Sequence, residues 1–212
     1  MGIAAAGWGA DDAVSEAETL LFLTDHLKNV VPAAKLFYAF RRTGSLEAGF
    51  DDTVELRVRT EGGAKAVSGT FFTGQRQIAF PDVSHAEGNP VLLYFLERDV
   101  HEMERLTGGR SQYFQKAIRL ALAHSARVVP ARLPYNGREV AATEITIAPY
   151  VGDPRRSQIG MYASKTYVFT LSGEVPGGVY SVRTFVPSAS GAVNDAPLVE
   201  ERLSFVRIAK GA

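Results

Sequence analysis

The stretch from Asn89 to Ser125 constrains this chain most. Asn89-Pro90 sets a side-chain acceptor before a proline at the first helical position, a strong helix start. Leu92, Leu93, Leu96, Val100 and Met103 then share one face, and Glu97, Arg98, His101, Glu102 and Arg105 share the other, until Gly108-Gly109 ends the helix. A second helix is predicted from about Ser111 to Ser125, with Phe114, Ala117, Ile118 and Ala121 turned inward. So short a turn between them makes an αα-hairpin. Two amphipathic helices of this kind need an apolar surface to cover.

The sequence on either side supplies that surface, because there the period changes to two. Val54, Leu56 and Val58 alternate with Glu55, Arg57 and Arg59, and Glu61-Gly62-Gly63 turns the chain into a strand ending near Phe72. Leu36 to Phe40 is apolar on both faces, which predicts a strand buried on both sides. A short strand is expected over Gln77–Phe80. After the helical pair, Val128–Leu133 carries Pro130 and reads as an edge strand. Glu139–Ile147, Tyr167–Leu171 and Tyr180–Val186 follow, the last two as a hairpin across Pro176-Gly177-Gly178. A last strand carries Leu203 and Phe205. Pro187 to Pro197 reads as a loop.

Near the start, Ser15 and Glu18 have the spacing of a capping box, with Leu20, Leu23 and Leu27 behind it. A helix is predicted over 15–29. Seven to nine strands in hairpin-like succession, with no βαβ rhythm, argue against a parallel doubly wound sheet. The expected class is α+β: a curved, mainly antiparallel sheet with an N-terminal helix and the inserted αα-hairpin packed on it. One domain is expected over residues 15–209.

Composition narrows function. Lysine plus arginine equals aspartate plus glutamate at 23 each, and no basic cluster stands out, so nucleic acid is not an expected partner. With no cysteine there is no disulfide, thiolate nucleophile or Cys-type zinc site. No apolar run approaches the roughly 18–20 residues of a spanning helix. Ala6-Gly7-Trp8-Gly9-Ala10 looks like the end of a secretory signal with cleavage near Ala10, most of its apolar part missing. Residues 1–14 are therefore read as a signal remnant and tail, and the protein as periplasmic or secreted.

Chemical motifs are absent or broken. His101-Glu102 begins a zinc-helix pattern, but Arg105 stands where the second histidine is needed, and Glu97, His101 and Arg105 make an ordinary charge ladder. His124 suits a helix C-terminus. His85, with Asp82 and Glu87, reads as loop chemistry. No nucleophile elbow, Walker loop or dinucleotide fingerprint occurs, and Asp51-Asp52 and Glu200-Glu201 read as solvated. No catalytic residue, metal ligand or cofactor is assigned.

The order of helix, four strands, helical pair and further long strands resembles the half-barrel of the periplasmic lipoprotein carriers LolA and LolB. Asn89 to Val100 and Phe169-Thr170-Leu171 also resemble stretches of uncharacterised exported proteobacterial proteins. The first resemblance implies a curved sheet closed by helices over an apolar cavity, and it transfers no functional residue. Tyr38, Phe40, Phe71, Leu93, Leu96 and Phe169 are expected to line such a cavity; the strand aromatics among them either line it or fill the core beneath the helices. The leading reading is a non-enzymatic carrier for an apolar or lipid-like small molecule. The alternatives are a hydrolase using Asp, Glu and His gathered by the fold, and an envelope-assembly module with a protein partner.

Overall fold

Alternation becomes pairing in the computed structural model, which describes residues 14–188, 190 and 195–211. The stretch read as a signal remnant lies outside the described residues, apart from Val14. Among the described residues nine strands are formed: β1 Ala34–Gly44, β2 Phe50–Glu61, β3 Ala64–Phe71, β4 Ile78–Ala79, β5 Arg127–Tyr135, β6 Arg138–Ile147, β7 Thr166–Leu171, β8 Val179–Val186 and β9 Val199–Lys210. They make one open, curved, antiparallel sheet in the order β4-β3-β2-β1-β9-β8-β7-β6-β5. Two meanders are thus welded by a single seam, β1 against β9, which runs from Ala34↔Lys210 to Gly44↔Val199. At one edge β4 has only two residues; at the other, β5 carries Pro130 and Pro134, which blunt it against a further strand.

One face of the sheet is the core. Leu36, Tyr38 and Phe40 of β1 lie in register with Leu56, Val54 and Asp52 of β2, and the first five are buried. Phe71, Ile145, Tyr167, Phe169, Val182 and Leu203 extend this surface. Helices α2 (Val91–Thr107) and α3 (Ser111–His124) cover it, adding Phe95, Val100, Met103, Phe114 and Ile118 to the same cluster. Each large side chain removed from water contributes about 1.5–3 kcal/mol. The cap and stop of α2 follow the expected chemistry: the Val91 amide donates to Asn89 Oδ1 at 3.1 Å, and Gly108 ends the helix at φ 70°.

Five local expectations are corrected. The N-terminal helix α1 spans only Glu16–Glu18, runs into a π-turn at Thr19–Leu23, and stops at Thr24. The capping box is present, but the Thr24 hydroxyl donates to the Thr19 carbonyl (3.0 Å) and the His26 ring bonds that of Leu20 (2.8 Å), taking acceptors a longer helix would use. The π-turn also shifts the phase, so Leu21 is buried and Leu23 is 62% exposed. Strand β1 is buried on one face only, with Phe37 half-covered by the Arg207 guanidinium 3.9 Å above its ring. On α2, Leu93 faces out and Arg98, placed on the polar face, is buried, as is its partner Glu201, which was expected to be solvated. A four-residue helix α4, Arg156–Ile159, leads through a tight turn at Gly160–Ser164 into β7.

Candidate functional site

The seam between α2 and α3 opens outward into a groove of about 550 Å³. Leu96, Val100, Ile118 and Leu122 form its floor, all of them buried. Phe22 of the π-turn forms one wall, and Phe80 stacked on Tyr94 forms another, ring centroids 4.3 Å apart. Tyr94 is fixed twice: its hydroxyl donates to the Pro81 carbonyl at 2.9 Å, and its ring lies on Gly69, where a Cβ would come within 2.7 Å. Leu93 projects at the mouth, 55% exposed. The rim is polar, with Glu97 receiving Gln115 Nε2 at 3.0 Å and the His101 ring at 3.1 Å. Ser15 Oγ donates to the Leu122 carbonyl at 3.0 Å and ties α1 to α3.

Beneath α2 lies a second, polar assembly. Asp99 is fully buried; Lys165 Nζ reaches one carboxylate oxygen at 2.5 Å and the Tyr167 hydroxyl donates to the other at 2.7 Å. With its proton given to Asp99, Tyr167 accepts from Tyr150, 3.1 Å away. Burial, then the Asp99 charge, pushes both phenols up from their ordinary value, so both stay protonated. Alongside, Arg98 pairs with Glu201, which also faces Arg42 at 3.4 Å; Arg42 binds Glu102 at 2.6 Å, and Arg105 bridges Glu102 and Glu47. Burial alone would raise the Glu102 carboxyl, but hydrogen bonds from Arg105 and Arg42 reverse this and hold it at about 2. Arg42, Arg98, Arg105 and Lys165 balance Glu47, Asp99, Glu102 and Glu201. Asp99 and Tyr167 have no surface at which a substrate could meet them; this assembly locks α2 to the sheet.

The head of α2 carries a third polar node. Asn89 Nδ2 donates to the Tyr38 hydroxyl at 2.8 Å and to the Gly177 carbonyl at 2.7 Å, and the Asn89 amide donates to His26 Nδ1 at 3.2 Å. Because Nδ1 accepts, His26 Nε2 carries the proton and donates to Leu20.

The six residues expected to line a cavity fall into two groups. Tyr38, Phe40, Phe71 and Phe169 lie deep in the packed core, where Phe40 meets Phe50 and Phe72 edgewise or tilted at 5.3 and 4.7 Å. Leu93 and Leu96 come together in the groove. Phe22, Phe80 and Tyr94 were not singled out from the sequence; only the loop geometry after β4 and the π-turn bring them to the same seam. His101 keeps its ladder contact with Glu97, while Arg105 turns to Glu102 and Glu47 instead. Asp82 pairs with Arg59 at 2.9 Å rather than with His85.

No protein-family model matches the chain, and neither does any curated protein. Among solved structures, lipoprotein LppX of Mycobacterium tuberculosis is 11% identical over 81% of this chain and 84% of its own, with a TM-score of 0.34. A LolA superfamily protein from Nitrosomonas europaea is 10% identical over 92% and 93%, with a TM-score of 0.22. At these scores the likeness assigns no function. Among the described residues no helix is long and apolar enough to cross a membrane.

Proposed function

We propose that the protein is a non-enzymatic binding or carrier module that takes up an apolar or lipid-like ligand along the α2–α3 seam. The observation that carries this reading is Leu93, more than half exposed above an apolar floor of Leu96, Val100, Ile118 and Leu122. A ligand burying about 200 Å² of apolar surface there would gain about 5 kcal/mol before the cost of association. Leu93 and Leu96 touch the ligand on this reading. Tyr38, Phe40, Phe71 and Phe169 act as the rigid backing that keeps the seam open. The setting proposed is the periplasm or the outside of the cell, on the strength of the small-residue stretch Ala6–Ala10.

Native mass spectrometry of the purified protein tests the reading directly. A retained hydrophobic species is expected in the wild type and lost in Leu93→Glu, whose melting temperature should stay within a few degrees because the site is exposed. Wild type without an adduct, and without affinity for a fluorescent fatty-acid probe, would overturn it.

A further inference from the structure

Residues 16–26 form a strap between two anchors. At one end Ser15 is bonded to α3; at the other, the Leu27 amide donates to the Glu87 carbonyl at 3.0 Å and Lys65 Nζ donates to the Leu27 carbonyl at 2.5 Å. Asn29 bonds the carbonyls of Gly173 and Val175 just beyond. Within the strap, Phe22 forms a wall of the groove. The side chain that joins the strap to the head of α2 is His26, through the Asn89 amide.

We infer that His26 is a proton-operated clasp: protonation at Nδ1 frees the strap from Asn89 and loosens the Phe22 wall of the groove. The bond from the Asn89 amide exists only while Nδ1 keeps its lone pair. Once a proton sits there, two N–H groups face each other and the contact becomes repulsive. The ring cannot slide aside toward the loop before β8, because Gly178 already approaches it so closely that a Cβ there would sit 2.9 Å from His26 Cδ2. Relief must come from the strap. A proton has a route in, since His26 borders a surface cleft of about 320 Å³ with Thr24, Asp25, Lys28 and Asn29.

The charges around the ring set the direction. Burial lowers the His26 pKa from 6.5; the Leu20 bond and Asp25 pull it back up, and Lys28 pushes it down. Of the elements packed against it, the loop before α2 offers Glu87, β3 offers Lys65, and β1 offers Tyr38, whose phenol burial keeps protonated. Glu174, on the loop before β8, is occupied by Arg138 at 2.7 Å. The loosened strap exposes the ring and returns it toward 6.5. Protons therefore favour the loosened form as pH falls below about 6.5, by up to about tenfold per pH unit until the clasped pKa is reached.

Hydrogen exchange read by mass spectrometry at pH 7.5 and 5.5, with rates corrected for the intrinsic pH effect, tests this. Protection over residues 19–26 should fall up to about tenfold at the lower pH while α3 is unchanged, and His26→Gln should show no such fall. Equal protection at both values, or the same fall in His26→Gln, would overturn the clasp. Should that variant not fold, ring ¹⁵N shifts of the wild type decide: an Nδ1 that stays unprotonated until the protein unfolds overturns it equally. The effect on the groove rests on the carrier reading, so fatty-acid probe binding is measured alongside. Exchange that responds without any probe binding removes the carrier reading and leaves the clasp. Probe binding that ignores pH while exchange responds overturns the coupling to Phe22.

Discussion

Asp99 is the residue whose loss should be felt most. It sits at 0% exposure with Lys165 and Tyr167 both bound to it. Asp99→Ala leaves an ammonium group buried without its counter-charge, a change that costs about 3–5 kcal/mol. Replacing both partners, as Asp99→Leu with Lys165→Met, should recover most of that loss, since a matched apolar pair leaves no charge stranded. Urea unfolding of the two variants checks this, and equal destabilisation would show that the pair's geometry, not its charge balance, matters. The signal for Asp99 was present in the sequence. It lies four residues from both Phe95 and Met103, inside the apolar stripe of α2, where a carboxylate is tolerated only with a partner. The partner itself was not legible, because Lys165 and Tyr167 lie more than sixty residues away and meet Asp99 only through the packing of β7 beneath α2.

At the level of elements, local chemistry decided how much could be read. Helix α2 was legible nearly to the residue because Asn89 and Gly108 mark its ends by acting on its own backbone, whereas α3 was legible from its apolar period and from Ser125, whose hydroxyl donates to the Ala121 carbonyl at 3.1 Å. Asn89 does more than cap, however. Asn89→Ala loses the cap, worth about 1 kcal/mol, and leaves the Tyr38 hydroxyl and Gly177 carbonyl short of a donor. Each such buried group costs about 1–3 kcal/mol, so a total loss of about 3–7 kcal/mol is expected, seen as a lower denaturant midpoint with an unchanged slope. A loss near 1 kcal/mol would mean that water replaces the amide. The strap of residues 16–26 was misread as a longer helix for the opposite reason: Thr24 and His26 compete for the carbonyls of Thr19 and Leu20, and that competition shows only once the side chains are placed. Likewise, the two apolar faces of β1 said nothing of Arg207, which supplies the cover over Phe37 from the far end of the chain.

For the whole molecule, the decisive contact is the seam between β1 and β9. Strands β1 to β4 and strands β5 to β9 each form a meander from neighbouring sequence, so either half can pair locally. What makes them one sheet is a strand completed only at Lys210, held to β1 along its length and closed by the Gly211 amide on the Ala33 carbonyl at 2.5 Å. The polar assembly under α2 spans the same seam, through Arg42 on β1 and Glu201 on β9, which face each other in register. If residues 15–209 are one domain, these links make unfolding a single event, with calorimetric and van't Hoff enthalpies equal. Deleting residues 199–212 should then abolish the cooperative transition. It removes β9, strips β1 and β8 of a neighbour, and leaves Arg42 and Arg98 without Glu201. Two separate transitions in the intact protein, or a truncated chain that still melts sharply, would instead mark the halves as independent units, and the seam as a contact between domains rather than the centre of one.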